Sequence, residues 1–125
     1  MSTVGDVMTN DVFTVEPDTS IAEIAKVMVK GRVGSVVVCR GKMIVGIFTE
    51  RDVLRATAAG DDPASTPVKN WMTNDPVTAP PDRGTEDALT DMIGQGFRHL
   101  PVVVGTDLVG VVSLRDLLAA RLGNS

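Results

Sequence analysis

The sequence has few of the residues that carry out chemistry. Of its 125 residues, one is cysteine (Cys39), one is histidine (His99) and none is tyrosine. A single cysteine cannot form an intramolecular disulfide, which fits a protein of the reducing cytosol. One imidazole with no second thiol cannot build a site of several histidines or cysteines, so we expect no bound metal. No nucleophile and base are patterned around His99, which argues against an enzyme.

Aromatic residues, positive charge and long apolar runs are also scarce. Three phenylalanines and one tryptophan are too few to favour a stacking platform for single-stranded nucleic acid. The 12 Lys and Arg against 16 Asp and Glu give a net charge of −4, which also makes a nucleic-acid partner an unfavoured prediction. No apolar run approaches the ~18 residues of a membrane span, and the first residues lack the pattern of a signal peptide. We therefore expect a cytoplasmic protein that does not bind a membrane.

An internal repeat covers most of the chain. Shifted by 64 residues, Val4–Ala59 aligns with Val68–Gly123 without a gap, and 17 of the 56 pairs are identical. The segment between the copies, GDDPASTP, has the composition of a linker. We predict a first repeat over residues 1–59, a linker over 60–67 and a second repeat over 68–125.

Both copies predict the element order β-α-β-β-α. In the first copy, Ser20–Lys30 has apolar residues at helical spacing, Val36–Cys39 and Met43–Phe48 form a hairpin, and Glu50–Ala59 is a helix. The counterparts in the second copy are Thr85–Gly94, Leu100–Val104, Leu108–Val112 and Leu114–Leu122. One copy alone would bury too little core to be comfortably stable. We therefore predict an α+β fold of two such repeats, related by a pseudo-twofold axis and packed through their sheets.

Each repeat contains the pattern Gly-h-h-[Ser/Thr]-x-x-Asp where a strand gives way to a helix. Free amides and the helix dipole at that point suit a phosphate, and the aspartate can accept hydrogen bonds from a ribose diol. The arginine before each aspartate can balance phosphate charge. The residues are Thr49, Arg51 and Asp52 in the first repeat, and Ser113, Arg115 and Asp116 in the second. The same spacing is also typical of a capping box, in which both side chains bind their own backbone, and both interpretations stay open.

The order of the motifs resembles that of the cystathionine-β-synthase (CBS) domain family, whose tandem pairs are called Bateman modules. The resemblance spans essentially the whole chain. It rests on Val7-Met8-Thr9 and Trp71-Met72-Thr73, on Phe97-Arg98-His99-Leu100-Pro101-Val102-Val103, and on the two strand-to-helix motifs. The first repeat departs from the family pattern, because Gly34-Ser35 stands where the second repeat has Arg98-His99.

The resemblance implies a regulatory module rather than an enzyme. Such a module binds an adenosine-containing ligand (AMP, ADP, ATP or S-adenosylmethionine) in clefts between the repeats, has no other cofactor, and signals through its conformation to a protein partner. A homodimer is also expected. The alternative is a structural or interaction module without a nucleotide, which the missing basic pair of the first repeat favours.

The resemblance also implies roles for further residues. The basic pair Arg98 and His99 reaches phosphate, which predicts that the two clefts differ; the alternative is that both are surface residues at the start of a strand. The backbone around Thr14-Val15 and Thr78-Ala79 binds the adenine edge, and the side chains of Ile47 and Val111 contact the ring; the alternative is that these are ordinary strands at the edge of the core.

Overall fold

In a computed structural model of the chain, residues 2–123 are described and form two compact units. Unit 1 combines the residues up to Val12 with those from Val77 onward, and unit 2 is Phe13–Pro76. Each unit thus takes its opening segment from one sequence repeat and its remaining elements from the other. Met1, Asn124 and Ser125, which the predicted repeats include, lie outside the described residues.

The helices and strands follow the predicted order in both halves of the chain, and the predicted α+β class is confirmed. They are α1 (Val4–Val7), β1 (Thr14–Val15), α2 (Ile21–Gly31), β2 (Ser35–Arg40), β3 (Met43–Thr49), α3 (Glu50–Ala58), β4 (Thr73–Asn74), α4 (Thr85–Gln95), β5 (His99–Val104), β6 (Asp107–Ser113) and α5 (Leu114–Gly123). A 3-10 turn over Val68–Asn70 precedes β4. No helix in residues 2–123 is long and apolar enough to cross a membrane.

Unit 2 contains a four-stranded sheet in the order β1-β2-β3-β4, in which only β1 and β2 are parallel. The continuous apolar run of β2 predicts a strand covered on both faces, and Val36, Val37 and Val38 are indeed at most 1% exposed. One face packs on the helices. The core there comprises Ile21, Ile24, Met28, Val36, Val38, Phe48, Ala56 and Val68.

Unit 1 repeats this arrangement with shorter outer strands. Its hairpin β5–β6 has the same pairing as β2–β3, including a register shift at the same place. In place of the β1–β2 pairing of unit 2, unit 1 has a single bridge between Ala79 and Val102. In place of the β3–β4 pairing, it has a single bridge between Thr9 and Val111. Its core comprises Val4, Ala79, Ala88, Leu89, Met92, Leu100, Val102, Val112 and Leu117.

A methionine of the opening segment packs against a glycine of the hairpin in each unit. A Cβ atom on Gly46 would lie 2.9 Å from Met72 Cγ and 3.0 Å from the carbonyl oxygen of Thr73. The same two distances separate a Cβ atom on Gly110 from Met8 Cγ and the Thr9 carbonyl oxygen. Contacts this short leave no room for a side chain. The glycine and the Met-Thr dipeptide, which are far apart in the sequence, are therefore parts of one contact.

Candidate functional site

In unit 2 the strand-to-helix motif forms a closed set of hydrogen bonds. The backbone N–H and the hydroxyl of Thr49 both donate to Asp52 Oδ2, at 2.9 and 3.2 Å. Arg55 Nη1 donates to Asp52 Oδ1 at 3.1 Å. A carboxylate offers about four acceptor positions, so these three bonds use most of them. Asp52 is only 5% exposed. Its side chain binds the backbone at the start of its own helix, as the capping interpretation predicts.

In unit 1 the equivalent aspartate is less enclosed. The Ser113 N–H donates to Asp116 Oδ2 at 3.0 Å, and the Asp116 N–H donates to Ser113 Oγ at 3.0 Å. Asp116 is half-buried rather than buried. Ala119 stands three residues later, where the first repeat has Arg55. A methyl group cannot pair with a carboxylate, so Asp116 lacks the ion pair that holds Asp52.

Backbone hydrogen bonds bring the predicted basic pair to the Ser113–Asp116 motif. The first amide of α5, that of Leu114, donates to the Arg98 carbonyl oxygen at 2.8 Å. His99 lies directly opposite Ser113 in the β5–β6 hairpin. Arg98 is exposed and His99 half-buried. Unit 1 therefore gathers Arg98, His99, Ser113 and Asp116 at one helix N-terminus, with the exposed Arg115 beside them.

The helix N-termini offer fewer free amides than the sequence suggests. Glu50 N in unit 2 donates to the Gly34 carbonyl oxygen at 3.1 Å, in the same way as Leu114 N in unit 1. The amides of Arg51 and Arg115, one residue further on, take no part in these bonds. An anion at the N-terminus of α3 or α5 would therefore contact the backbone amide of Arg51 or Arg115, together with the exposed guanidinium group of the same arginine.

The residues predicted for the adenine ring divide between the two faces of the unit 2 sheet. Thr14, Val37 and Ile47 are directly opposite one another across three strands, so their side chains share a face, and Thr49 joins them two residues after Ile47. Val15 points to the other face, where it packs on the core. Val37, which the sequence did not single out, is thus the middle residue of this row.

The corresponding residues of unit 1 are tied to the sheet by their backbone. Ala79 N donates to the Pro101 carbonyl oxygen at 3.1 Å, and Val103 N donates to the Ala79 carbonyl oxygen at 2.9 Å. Val111 exchanges two backbone hydrogen bonds with Thr9, at 2.9 and 3.1 Å. Thr78 is exposed and Ala79 is 2% exposed. Of the two predicted adenine-edge positions, Thr78 is the one whose side chain is accessible.

An open groove of about 700 Å³ lies in unit 2, beside β1 and α2. It contains two of the predicted adenine-edge residues, Thr14 and Val15, but none of Ile47, Thr49 or Asp52. Its other lining residues are Glu16, Thr19, Glu23, Ile24, Lys26, Val27, Cys39 and Gly41. Burial raises the pKa of the Cys39 thiol. The thiol therefore stays protonated near neutral pH and is a poor nucleophile. Within residues 2–123, no three His, Cys, Asp or Glu side chains are grouped so that they could hold a metal ion.

Comparison with known proteins adds a family and several relatives. The sequence profile of the CBS domain matches residues 4–59 and 68–123. The CBS domain-containing protein YhcV of Bacillus subtilis is 39% identical over 125 residues, which cover 99% of this chain and 89% of YhcV.

Solved structures are similar over nearly the full chain. The CBS-domain containing protein ATU1752 from Agrobacterium tumefaciens is 35% identical with a TM-score of 0.89, covering 96% of this chain and 99% of that one. The structure of CBSX2 in complex with AMP is 25% identical with a TM-score of 0.80, covering 99% of this chain and 98% of that one.

Proposed function

The chain belongs to the CBS-domain family, with two repeats that fill residues 4–59 and 68–123, and from this premise we propose that it is a regulatory module for an adenosine-containing ligand. The ligand class comprises AMP, ADP, ATP and S-adenosylmethionine. The main support is the group of residues in unit 1, where Arg98, His99, Ser113 and Asp116 meet at the N-terminus of α5. A relative of the same fold, CBSX2, binds AMP.

Each part of this group matches one part of a nucleotide. The Asp116 carboxylate accepts hydrogen bonds from the two hydroxyl groups of the ribose. The Arg98 and Arg115 side chains and the Arg115 amide bind phosphate, aided by the positive end of the α5 dipole. His99 adds a donor when its ring is oriented toward the anion. The Val111 side chain contacts the adenine ring, and the backbone of Thr78, an exposed residue, binds its edge.

We propose binding without catalysis. A reaction would need a nucleophile or a general base placed against a second reacting group. The residues gathered in unit 1 are instead one carboxylate held by its own helix, one hydroxyl and three basic side chains. Binding would favour one of the protein's conformations over others, and a protein partner would respond to that change.

The double variant Arg98→Ala/His99→Ala tests the phosphate part of the proposal. It should lower the affinity for ATP at least about tenfold, since one hydrogen bond to a charged group contributes about 1.5–3 kcal/mol and a factor of ten is about 1.4 kcal/mol, and it should leave adenosine affinity within about twofold. Isothermal calorimetry with adenosine, AMP and ATP measures both. The matched control is Arg40→Ala, which removes an exposed charge at the end of β2.

Three results are distinguishable in that series. Selective loss of ATP affinity supports the assignment, whereas equal loss for ATP and adenosine contradicts the phosphate role. If the unmodified chain binds none of the adenine nucleotides or S-adenosylmethionine at millimolar concentration, the proposal fails. The interaction module that binds no nucleotide then becomes the better description, since capping boxes already occupy both aspartates.

We further propose that the protein is a homodimer that pairs through its helices. Both repeats expose an apolar side chain at equivalent positions of their two helices: Val29 and Leu54 in unit 2 are 80% and 70% exposed, and Ile93 and Leu118 in unit 1 are 69% and 42% exposed. Helical spacing predicts that Ala88, Leu89, Met92 and Ile93 share the buried face of α4. The prediction is wrong for Ile93, because Ala88, Leu89 and Met92 form the buried face and Ile93 lies outside it.

Repeated exposure of large apolar side chains is a feature of interaction surfaces. Size-exclusion chromatography with light scattering should therefore give about twice the monomer mass of 13.2 kDa, and the double variant Leu54→Glu/Leu118→Glu should give the monomer. Met43→Glu is the control, because Met43 is 68% exposed but its repeat equivalent is the polar Asp107. A 13.2 kDa species for the unmodified chain at all concentrations would rule out the dimer.

A further inference from the structure

Arg55 links the Asp52 carboxylate to the only tryptophan of the sequence. Its guanidinium group donates to Asp52 Oδ1 at 3.1 Å, and its Cζ atom lies 5.4 Å from the centre of the Trp71 ring. The ring is held in turn, because Trp71 Nε1 donates to Asp61 Oδ2 at 2.7 Å. Asp61 belongs to the linker between the repeats. A continuous chain of contacts therefore runs from Asp52 to the linker, all within unit 2.

Unit 1 has no counterpart of this chain. The repeat equivalent of Arg55 is Ala119, and that of Trp71 is Val7. Neither an ion pair nor a cation–π contact can form with these side chains. Each aspartate accepts a hydrogen bond from the backbone N–H of the residue that caps its helix. Asp52 is more buried than Asp116 and also accepts from the Thr49 hydroxyl, but only Asp52 has an arginine one turn further along its helix.

We propose that Arg55 is a specificity-determining residue that competes with the ligand for Asp52, so that the site of unit 1 fills before that of unit 2. This inference rests on the proposed function, because it assumes that a ribose diol binds these aspartates. A diol reaching Asp52 needs acceptor positions that Arg55 and Thr49 now use. The ligand of unit 2 therefore binds only when Arg55 leaves the carboxylate.

The Arg55–Asp52 ion pair is strong enough to hinder ligand binding at Asp52, yet weak enough for a ligand to displace it. The Arg55 side chain is 56% exposed and that of Asp52 8% exposed, so water screens the pair from the arginine side and limits its strength. Stacking on Trp71 fixes the guanidinium at a second point and adds to the cost of release. Together these contacts correspond to about a tenfold difference in affinity.

The test compares two full-length chains by calorimetry with adenosine, which has the diol and no phosphate. Asp116→Ala leaves unit 2 as the site to be measured, and Asp116→Ala/Arg55→Met removes the guanidinium but keeps an unbranched apolar side chain over Trp71. The second chain should bind adenosine about tenfold more tightly than the first. Lys30→Met in the Asp116→Ala chain removes one exposed charge from α2 of the same unit and should leave the affinity unchanged.

Trp71 fluorescence provides a second measurement that needs no change at Arg55. Displacing the guanidinium from the ring should shift the emission of the tryptophan, so adenosine should change the emission of the Asp116→Ala chain. It should not change that of Asp52→Ala, which has lost the site next to Arg55. A signal that disappears in Asp116→Ala and persists in Asp52→Ala would overturn the inference.

The outcomes separate this inference from the proposed function. Suppose that the unmodified chain binds adenosine but that adding Arg55→Met to the Asp116→Ala chain leaves its adenosine affinity unchanged or lowers it. Arg55 then does not compete with the ligand, while the proposed function stands. If no chain binds adenosine, this inference fails, and the proposed function fails with it when the unmodified chain also binds no adenine nucleotide and no S-adenosylmethionine. Thermal unfolding of each chain is recorded first, and Arg55→Gln replaces Arg55→Met should the latter unfold early.

Discussion

A chain that begins at Phe13 should lose the fold of unit 1, whereas unit 2 loses no residue of its own core or sheet. Residues 2–12 supply Val4, which is fully buried in the unit 1 core, and Val7 and Met8, which pack against it. They also supply the edge of the sheet, where Thr9 exchanges two backbone hydrogen bonds with Val111. Nothing in residues 13–76 depends on this segment for its own pairing, because β4 comes from Thr73–Asn74.

The expected loss is as large as the stability of a typical domain. Removing one large buried aliphatic side chain costs on the order of 2–5 kcal/mol, and here one buried and two partly buried side chains leave together. Typical domains are stable by about 5–15 kcal/mol. Unit 1 of the shortened chain should therefore be largely unfolded at 25 °C.

Hydrogen exchange measured by mass spectrometry decides this prediction. Amides of β5 and β6 should exchange freely in the shortened chain, and those of β2 and β3 should be the better protected of the two hairpins. Asn10→Ala/Asp11→Ala changes two exposed side chains of the same segment and serves as the control. Equal protection of both hairpins in the shortened chain would show that the opening segment is dispensable.

The substitution Asp116→Ala should lower adenosine affinity at unit 1 about 100-fold. A ribose diol donates two hydrogen bonds to a carboxylate, and a hydrogen bond to a charged group contributes about 1.5–3 kcal/mol. Losing both thus removes roughly 3 kcal/mol, which is about two powers of ten in the dissociation constant. Asp52→Ala should have a smaller effect, because Arg55 already weakens binding at that aspartate.

The control for Asp116→Ala must remove a helix cap without touching the site. Asp6 serves this purpose: in α1 of the same unit it accepts a hydrogen bond from the Thr3 N–H at 3.0 Å, the geometry of Asp116 with Ser113. Asp6→Ala should leave adenosine binding unchanged. A comparable loss of affinity in Asp6→Ala would mean that the effect of Asp116→Ala comes from a damaged fold.

Much of the secondary structure could be predicted because its signals are local. The predicted helix Ser20–Lys30 is observed as Ile21–Gly31, and Thr85–Gly94 as Thr85–Gln95. Ser20 caps this helix, because its side-chain oxygen accepts a hydrogen bond from the Glu23 N–H at 3.2 Å. The four-residue helix α1 was not predicted, since it is too short for an apolar periodicity to show.

The candidate site was predictable in part. The motif Gly-h-h-[Ser/Thr]-x-x-Asp placed both aspartates correctly at the first turn of a helix, and the register of β5–β6 brought His99 to Ser113. Arg55 was missed, although Asp and Arg three residues apart on a helix are a known pairing signal. Its contact with Trp71 had no such signal, because 16 residues of chain separate the two.

The sequence by itself determined the duplication, because the two copies align without a gap. It also determined the β-α-β-β-α order and the two strand-to-helix motifs, since each of these depends on residues within a few turns of one another. Only the tertiary structure decided which opening segment completes which hairpin. Met8-Thr9-Asn10-Asp11 and Met72-Thr73-Asn74-Asp75 are identical tetrapeptides, so no local preference distinguishes them. The structure pairs Thr73 with Ile47 and Thr9 with Val111, because chain connectivity and the burial of Val4 and Val68 in separate cores determine the choice.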